Sequence, residues 1–345
     1  MGLKEEIYQQ PNVLRNLVDD QWGNVKQIVA ELKRNQIQYV FIAARGTSDN
    51  AARYAKYVWG SHNQLPIALA TPSLFSLYQQ PPRLEGALVV GVSQSGQSPD
   101  IVNVLTEGKD QGQPTLAITN ASDSPLAKTA DFVFDIQAGK EVAVAATKTY
   151  TAQLMALAML SVAMSEDDAG LSVLKEVPGY VQEVLELDDN IQRMAERYYY
   201  MEQCVVIGRG YNYSTAFEWS LKLKELAYVV AEPYSSADFM HGPIALVEQG
   251  FPVMVVAPAG RVFDEIVSVL KILDQKHNPN LLVVSNRDEA LSYADISIPL
   301  PKDMPEWISP LVSIIPAQLF SFYLTQIKGL DTEKPRGLQK VTYTR

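Results

Sequence analysis

Three charged residues recur on one predicted helix at spacings that permit acid–base chemistry. Glu218, Lys222 and Glu225 lie within Ser214 to Tyr228, four and then three residues apart. Because residues three and four apart share a helix face, the three side chains should be neighbours. On a solvated face they would form an ordinary ion pair. Inside a cleft, a carboxylate could instead act as a general base, since burial raises its pKa.

A second group of polar residues is suited to binding a phosphate. The stretch Gly91 to Asp100 follows an apolar run typical of a buried strand and precedes a helical pattern, so it should form a strand-to-helix turn. Helix N-termini favour anions, and hydroxyl and amide donors suit phosphate oxygens. The alternative is a polar loop that only caps the next helix. The donors of this stretch, the serine loop, are Ser93, Gln94, Ser95 and Ser98.

Two further residues, His241 and Lys340, have side chains suited to catalysis, but the sequence around them indicates that role less strongly. His241 is one of three histidines and precedes Gly-Pro, in a predicted loop from Ala237 to Pro243. A lone histidine is more often structural than catalytic. Lys340 lies in a polar C-terminal segment that reads either as a frayed tail or as the source of an amine for a Schiff base. No group of His, Cys, Asp and Glu has zinc spacing, so we expect no metal and no other cofactor.

Strands and helices alternate in the elements that would position these residues. Such alternation favours an α/β fold with a parallel sheet covered on both faces. In open parallel sheets, ligands bind beyond the carboxyl ends of the strands, near a switch in strand order. Ser48 follows the predicted strand Gln38 to Ala43, and Ser93 follows the predicted strand Leu88 to Val92. We therefore expect the two hydroxyls to converge on one site.

The two halves of the sequence repeat one another, which predicts tandem copies of one α/β domain. Where the first copy has Ser93 to Ser98, the second has Ala257 to Val262, which lacks nearly every hydroxyl and amide donor. We therefore expect the first copy to bind the ligand. The matches, offset by 164 or 165 residues, are Gly46 with Gly210, Asp100 with Asp264, Asp131 with Asp295, and Gln153 with Gln318. The predicted boundaries are a helical segment at 1–30, a first domain at 31–165, a helical linker at 166–195, a second domain at 196–332, and a tail at 333–345 carrying Lys340.

Composition excludes several classes of protein. The chain has 345 residues, 47% of them hydrophobic, and a formal charge of −10, which is typical of a globular protein and unsuited to nucleic acid. The single cysteine, Cys204, suits a reducing compartment. The N-terminus has no apolar signal core, and the apolar run Leu154 to Val162 is too short for a membrane span. We expect a cytoplasmic protein with no membrane or nucleic-acid partner.

Several motifs together resemble one family over nearly all of the chain. The chain resembles the double-SIS-domain phosphosugar isomerases, which include the isomerase half of glutamine–fructose-6-phosphate aminotransferase and SIS-type glucosamine-6-phosphate deaminases. The resemblance implies two tandem flavodoxin-like SIS domains, doubly wound around parallel sheets. The motifs are Glu6-Ile-Tyr-Gln-Gln-Pro11, Gly46-Thr-Ser48, Ser93-Gln-Ser-Gly96, Ala146-Thr-Lys148, Leu221-Lys-Leu-Lys-Glu225, His241-Gly-Pro243, Pro335-Arg336 and Lys340.

The same resemblance implies a binding site for a sugar phosphate. Thr47 and Val144 would line the sugar. Ala146 and Gln339 would lie close to it, and both depart from the family pattern, in which a small hydroxyl residue and a small residue are common at these positions. The phosphate would be held by Ser48, Ser93, Gln94, Ser95 and Ser98.

For catalysis, the resemblance implies four residues. Glu225 would move a proton between C1 and C2, with Lys222 stabilising negative charge nearby. His241, contributed by the neighbouring subunit of a homodimer, would assist ring opening. Lys340 would form or stabilise the open-chain adduct.

These implied roles predict an enzyme that converts glucosamine 6-phosphate into fructose 6-phosphate and ammonia. Glutamine-dependent relatives begin with a catalytic cysteine and a glutaminase domain, which this sequence is not expected to have. Three alternatives remain. Two are enzymes, a deglycase for fructosamine 6-phosphates and an isomerase without nitrogen chemistry, and the third is a sugar-phosphate-sensing protein without turnover. A sensor would need only the serine loop, so the presence of Glu225, His241 and Lys340 favours an enzyme.

Overall fold

Strands and helices alternate along the chain in the computed structural model, which describes residues 2–340. The strands are β1 (Tyr39–Ala43), β2 (Ile67–Leu69), β3 (Ala87–Ser93), β4 (Thr115–Thr119), β5 (Phe132–Asp135), β6 (Gln203–Gly208), β7 (Val230–Ser235), β8 (Pro252–Val256), β9 (Asn280–Ser285) and β10 (Ile296–Pro299). The α-helices are α1 (Leu3–Tyr8), α2 (Gln10–Leu32), α3 (Thr47–Asn63), α4 (Ser73–Ser76), α5 (Pro99–Asp110), α6 (Pro125–Thr129), α7 (Lys148–Ser165), α8 (Asp168–Leu185), α9 (Asp188–Glu196), α10 (Tyr213–Leu226), α11 (Ser236–Met240), α12 (Phe263–Lys276), α13 (Asp288–Leu291) and α14 (Ser309–Ile327).

Each copy of the repeat folds around a parallel five-stranded sheet. The first sheet has the order β2-β1-β3-β4-β5, and the second has the equivalent order β7-β6-β8-β9-β10. This is the flavodoxin-like order, whose switch point lies between the first and third strands. In the first sheet those strands pair directly, with Ala43 opposite Gly91. The predicted fold class is confirmed, and the serine loop begins at the switch point.

The contacts divide the described residues into two units, which we name by their chemistry. The serine-loop unit comprises 12–142, 146–176 and 339–340, and the carboxylate unit comprises 2–11, 143–145 and 177–338. Helix α1 belongs to the carboxylate unit, where Lys4 Nζ lies 2.8 Å from Asp188 Oδ2.

One central helix of each unit is buried on all sides, as expected for a helix that is apolar all round. These are α7 in the serine-loop unit and α14 in the carboxylate unit. The segment 306–327 is long and apolar enough to cross a membrane by length and composition, but its most apolar window is wholly buried inside the fold. The core helix of a folded domain can have the same length and composition as a membrane span, so these two properties do not make α14 one. The apolar run Leu154 to Val162, which stands out in the sequence, lies within α7, and α14 is the more apolar of the two helices.

Two helix boundaries fall at candidate site residues. Helix α3 begins at Thr47, so Thr47 and Ser48 form its first turn. Ala237 to Met240 was predicted as loop but is helical in α11, because Ser235 Oγ accepts a hydrogen bond from the backbone N–H of Asp238 and caps the helix.

Candidate active site

The serine loop keeps several donors available for a ligand. Ser93 Oγ accepts from the backbone N–H of Gly96 at 3.1 Å, which closes the turn. Ser98 stands at the N-cap position of α5, but its side chain makes no capping hydrogen bond. Within residues 2–340, the side chains of Gln94 and Ser98 have no hydrogen-bond partner. Ser98 therefore does not cap α5 with its side chain, contrary to the interpretation of this stretch as a loop that only caps the next helix.

Gly96 lets the loop turn tightly against α6. Its φ is +61°, and a Cβ at this position would lie 2.1 Å from Ser124 Oγ. Glycine is the residue that tolerates both the left-handed backbone and the close approach. The serine loop can therefore pack directly against Ser124, the N-cap residue of α6.

The equivalent loop of the second copy is occupied by an acidic side chain. Glu306 Oε2 accepts a hydrogen bond from the backbone N–H of Arg261 at 2.9 Å, and a Cβ on Gly260 would lie 2.1 Å from Glu306 Cδ. A carboxylate that already accepts from the loop would repel a phosphate. This arrangement supports the prediction that the first copy binds the ligand.

The switch point also carries a cation that sequence analysis did not assign. Arg45, in the loop after β1, pairs through Nε with Asp100 Oδ2 at 2.8 Å. The Asp100 side chain is fully buried, whereas that of Arg45 is 46% exposed. The pair ties the loop after β1 to the first turn of α5, which follows the serine loop.

Ser48 is held by a buried amide on α7. Gln153 Nε2 donates to Ser48 Oγ at 3.0 Å, and the O–H of Ser48 has no acceptor within the described residues. Gln153 is 1% exposed, and its Oε1 has no partner in this part of the chain. The amide therefore orients the Ser48 hydroxyl so that its proton is available to a ligand. Sequence analysis used Gln153 only as a match to Gln318, although that recurrence was a usable signal.

We predict that Gln153→Met raises the KM for a sugar phosphate about fivefold, the loss expected for one hydrogen bond of about 1 kcal/mol. The kcat should stay unchanged, because Gln153 contacts a binding residue rather than a reacting atom. Steady-state kinetics of the purified variant would check this.

The repeat supplies a matched control for this prediction. Gln318 is equally buried and accepts from Gln10 Nε2 at 2.8 Å, so Gln318→Met should lower stability without changing KM. Equal KM values for wild type and Gln153→Met would show that the amide does not orient Ser48.

The three charged residues of α10 form a buried cluster, so the interpretation as a solvated face is wrong. Lys222 Nζ lies 2.5 Å from Glu225 Oε2 and 3.3 Å from Glu218 Oε1. The side chains of Lys222 and Glu218 are 1% and 0% exposed, whereas that of Glu225 is 23% exposed. Glu225 is therefore the member of the cluster that can reach a substrate.

Lys222 stays charged in this cluster. Burial by itself lowers the pKa of Lys222, but the charges of Glu218 and Glu225 and their hydrogen bonds outweigh it and raise the pKa above its usual value of 10.5. At neutral pH the lysine is an ammonium that can stabilise negative charge but cannot exchange protons easily.

His241 lies directly after α11 and is exposed. Its ring makes no hydrogen bond within residues 2–340, and Gly242, with φ +140°, and Pro243 follow it. The imidazole is therefore exposed at the end of α11, directly before a Gly-Pro turn.

The other residues predicted to contact the sugar lie at the start of α3, in the loop before α7 and in the C-terminal tail. Thr47, Val144 and Ala146 are partly buried, and Gln339 is exposed. Lys340 Nζ lies 2.6 Å from Glu141 Oε2 in the serine-loop unit. Sequence analysis missed Glu141, because a single acidic residue in a loop gives no pattern.

The candidate site residues are divided between the two units. Ser48, the serine loop and Lys340 lie in the serine-loop unit, and Glu225 and His241 lie in the carboxylate unit. The cluster of Lys222 and Glu225 offers proton transfer and charge stabilisation, and the serine loop offers neutral donors for an anion. Over residues 2–340, no group of three or more His, Cys, Asp and Glu is arranged to hold a metal ion.

The SIS domain model matches residues 35–163 and 199–328 of this chain. The chain belongs to the SIS domain family. Its two SIS domains coincide with the two parallel sheets, and the resemblance found in the sequence is confirmed.

The SIS relatives include aminotransferases. The glutamine–fructose-6-phosphate aminotransferase (isomerizing) of Aquifex aeolicus is 35% identical over 338 residues, which are 97% of this chain and 56% of that protein. The chain thus spans about half the length of the curated relatives that it matches.

Solved structures share this fold. The C-terminal domain of glucosamine-fructose-6-phosphate aminotransferase from Francisella tularensis superposes with a TM-score of 0.88, at 30% identity over 96% of this chain and 98% of that chain. Glucosamine-6-phosphate deaminase from Thermotoga maritima has a TM-score of 0.81 at 21% identity, covering 99% of both chains, which is evidence of a shared fold alone. The chain is therefore an SIS protein that is similar, over nearly its whole length, to the C-terminal domain of an aminotransferase.

Proposed function

We propose that this SIS protein is an aminosugar-phosphate isomerase and deaminase that converts glucosamine 6-phosphate into fructose 6-phosphate and ammonia. The observation that carries the proposal is the buried ammonium of Lys222, 2.5 Å from the partly exposed carboxylate of Glu225. An aldose–ketose conversion needs a base at the carbon that loses its proton and a fixed positive charge near the oxygen that becomes negative.

The proposed reaction begins with phosphate binding by the serine loop and Ser48, with Thr47, Val144, Ala146 and Gln339 around the sugar. His241, from the neighbouring subunit of a homodimer, assists opening of the ring. These roles are consistent with the donor-rich loop of the first copy and with the exposed imidazole.

In the open chain, Glu225 removes the proton from C2 and returns it to C1. The electron pair released at C2 forms a C1–C2 double bond while the π electrons of the C1 carbonyl pass to its oxygen, and Lys222 stabilises the developing negative charge of this enolamine intermediate. As C1 takes the proton back from Glu225, the amino nitrogen gives up one proton, which the C1 oxygen takes. The product is an imine at C2, which water hydrolyses to the ketone of fructose 6-phosphate and ammonia. Lys340 forms or stabilises the adduct at the sugar carbonyl.

Nitrogen chemistry on this sugar pair is supported by the names of the Aquifex aeolicus and Francisella tularensis relatives, which are aminotransferases of fructose 6-phosphate. We propose the direction of ammonia release, since mass action at low ammonia favours it. We also propose a cytoplasmic enzyme, because the single Cys204 is buried in β6 and needs no oxidising compartment.

Incubation of the purified protein with glucosamine 6-phosphate tests the proposal. We expect equal amounts of fructose 6-phosphate and ammonia, measured by coupled enzymatic assays. Ammonia release from fructosamine 6-phosphates alone would indicate a deglycase, for which the small side chain of Ala146 leaves room. Protection from thermal unfolding without turnover would indicate a sugar-phosphate sensor.

A further inference from the structure

Glu141 is a fully buried carboxylate that no family motif in the sequence marks. Its side chain is 0% exposed and lies in the loop before α7. Oε1 accepts from the backbone N–H groups of Thr147 and Thr149, at 2.9 and 3.1 Å. Oε2 accepts from Thr149 Oγ1 at 2.7 Å and from Lys340 Nζ at 2.6 Å. The carboxylate therefore caps the N-terminus of α7 and holds the tail lysine at the same time.

The two partners of this ion pair differ in their freedom to move. The Lys340 side chain is 23% exposed, so it can turn toward a ligand, whereas Glu141 cannot leave the core. When the lysine turns away, three donors from Thr147 and Thr149 still bind the carboxylate. A helix N-terminus also favours a negative charge. The buried anion is thus supported with and without its cation.

The pair also brings together two predicted sugar-contact positions of the serine-loop unit. Ala146 precedes Thr147, whose backbone binds Glu141, and Gln339 precedes Lys340. A second cation of this region, Lys148 at the start of α7, donates through Nζ to the carbonyl of Lys140 at 2.7 Å.

We propose that Glu141 anchors Lys340 and accepts its proton when the amine attacks the carbonyl of an open-chain sugar phosphate. The inference deepens the proposed function and rests on the role given there to Lys340. An ammonium has no lone pair, so Lys340 must lose a proton before it can form a bond to carbon.

The step is balanced in protons and electrons. The Lys340 ammonium transfers one proton to the Glu141 carboxylate, and the nitrogen lone pair forms a bond to the carbonyl carbon. The π electrons pass to the oxygen, which takes a second proton from nitrogen to give a carbinolamine. The protonated Glu141 then gives its proton to the hydroxyl, which leaves as water while the nitrogen forms the iminium. Glu141 ends as a carboxylate, ready for the next cycle.

Borohydride trapping with fructose 6-phosphate tests this inference. Reduction should attach the sugar phosphate to Lys340, detected by peptide mass spectrometry, and Lys340→Arg should give no adduct. We expect Glu141→Gln to slow trapping about 100-fold at neutral pH, the scale of one general-base contribution. The trapping rate of Glu141→Gln should rise toward the wild-type rate at alkaline pH. In this variant the solvent must remove the proton of Lys340 in place of Glu141, and alkaline solvent does so more readily.

Two further variants separate proton transfer from structure. Thr149→Val removes one donor to the same carboxylate oxygen and should change trapping by only about twofold. Glu141→Asp keeps the charge and should keep the wild-type pH profile even if Glu141→Gln does not fold. Wild-type trapping by Glu141→Gln, or an alkaline shift in Glu141→Asp, would overturn the inference.

The same experiment distinguishes this inference from the proposed function. Ammonia release by the wild type without any trapped adduct would overturn the role of Glu141 and leave the deaminase intact. Trapping without ammonia release would overturn the deaminase and leave the role of Glu141 in place.

Discussion

Glu225→Gln is expected to lower the rate of ammonia release from glucosamine 6-phosphate by about 100- to 10,000-fold, the usual contribution of a general base. The amide has nearly the same shape and can still accept a hydrogen bond from Lys222, but it cannot take a proton. Lys222 keeps its other partner, Glu218, at 3.3 Å, so the fold should survive. The measurement is ammonia release, together with deuterium incorporation into the sugar from heavy water.

The same helix supplies the control for this variant. Glu218→Gln changes the other carboxylate that pairs with Lys222, but that side chain is 0% exposed and cannot reach a substrate. It should alter stability more than proton transfer. Protection of Glu225→Gln by the sugar phosphate against thermal unfolding would confirm that binding is intact. Deuterium incorporation at the wild-type rate in Glu225→Gln would rule out Glu225 as the base.

Lys222→Met should lower the free energy of unfolding by about 3–5 kcal/mol, the usual result of removing one partner from a buried ion pair. The substitution removes the ammonium that pairs with both Glu218 and Glu225, and the Glu218 side chain is fully buried. Denaturant unfolding followed by circular dichroism would measure the loss. Activity should also be lost, since no fixed charge would remain beside Glu225.

Lys224→Met is the matched control, because Lys224 is on the same helix but is 42% exposed and lies 3.7 Å from Glu232. Its effect should be within about 0.5 kcal/mol. If Lys222→Met also changed the free energy of unfolding by no more than about 0.5 kcal/mol, the buried ion pairs of Lys222 would not be important for stability.

The effect of Lys222→Met should also depend on pH. Because the pKa of Lys222 is raised above 10.5, its contribution is complete below that pH and declines only as the pH rises through the higher folded-state value.

The α/β fold class and the position of the serine loop could be predicted because each depends on local pattern, whereas the flavodoxin-like strand order followed from the family resemblance. The apolar run of β3 is buried along its whole length, and polar residues follow it directly. The repeat then fixed which strands are equivalent, and the Glu-Lys-Glu spacing on α10 placed Glu218, Lys222 and Glu225 together.

Burial and long-range partners could not be predicted in this way. The spacing of Lys222 fits a solvated ion pair as well as a buried one, and only tertiary packing against the rest of the carboxylate unit decides between them. Glu141 and Lys340 are 199 residues apart, and Gln153 and Ser48 are 105 apart, so no local pattern connects them. Such contacts follow from the fold rather than from neighbouring residues.

The carboxylate of Glu306 in the second copy has a consequence for how the two copies diverged. Restoring hydroxyls at Ala257 and Ala259 would not recreate an anion site, because Glu306 would still accept from the backbone of Arg261. Gly260 packs so closely against Glu306 that the loop and the acid would have to change together. A single substitution, either in the loop 257–262 or at Glu306, would not create a phosphate site in the second copy. The two copies therefore differ lastingly at this loop: the first holds hydroxyl and amide donors, and the second holds an acidic side chain.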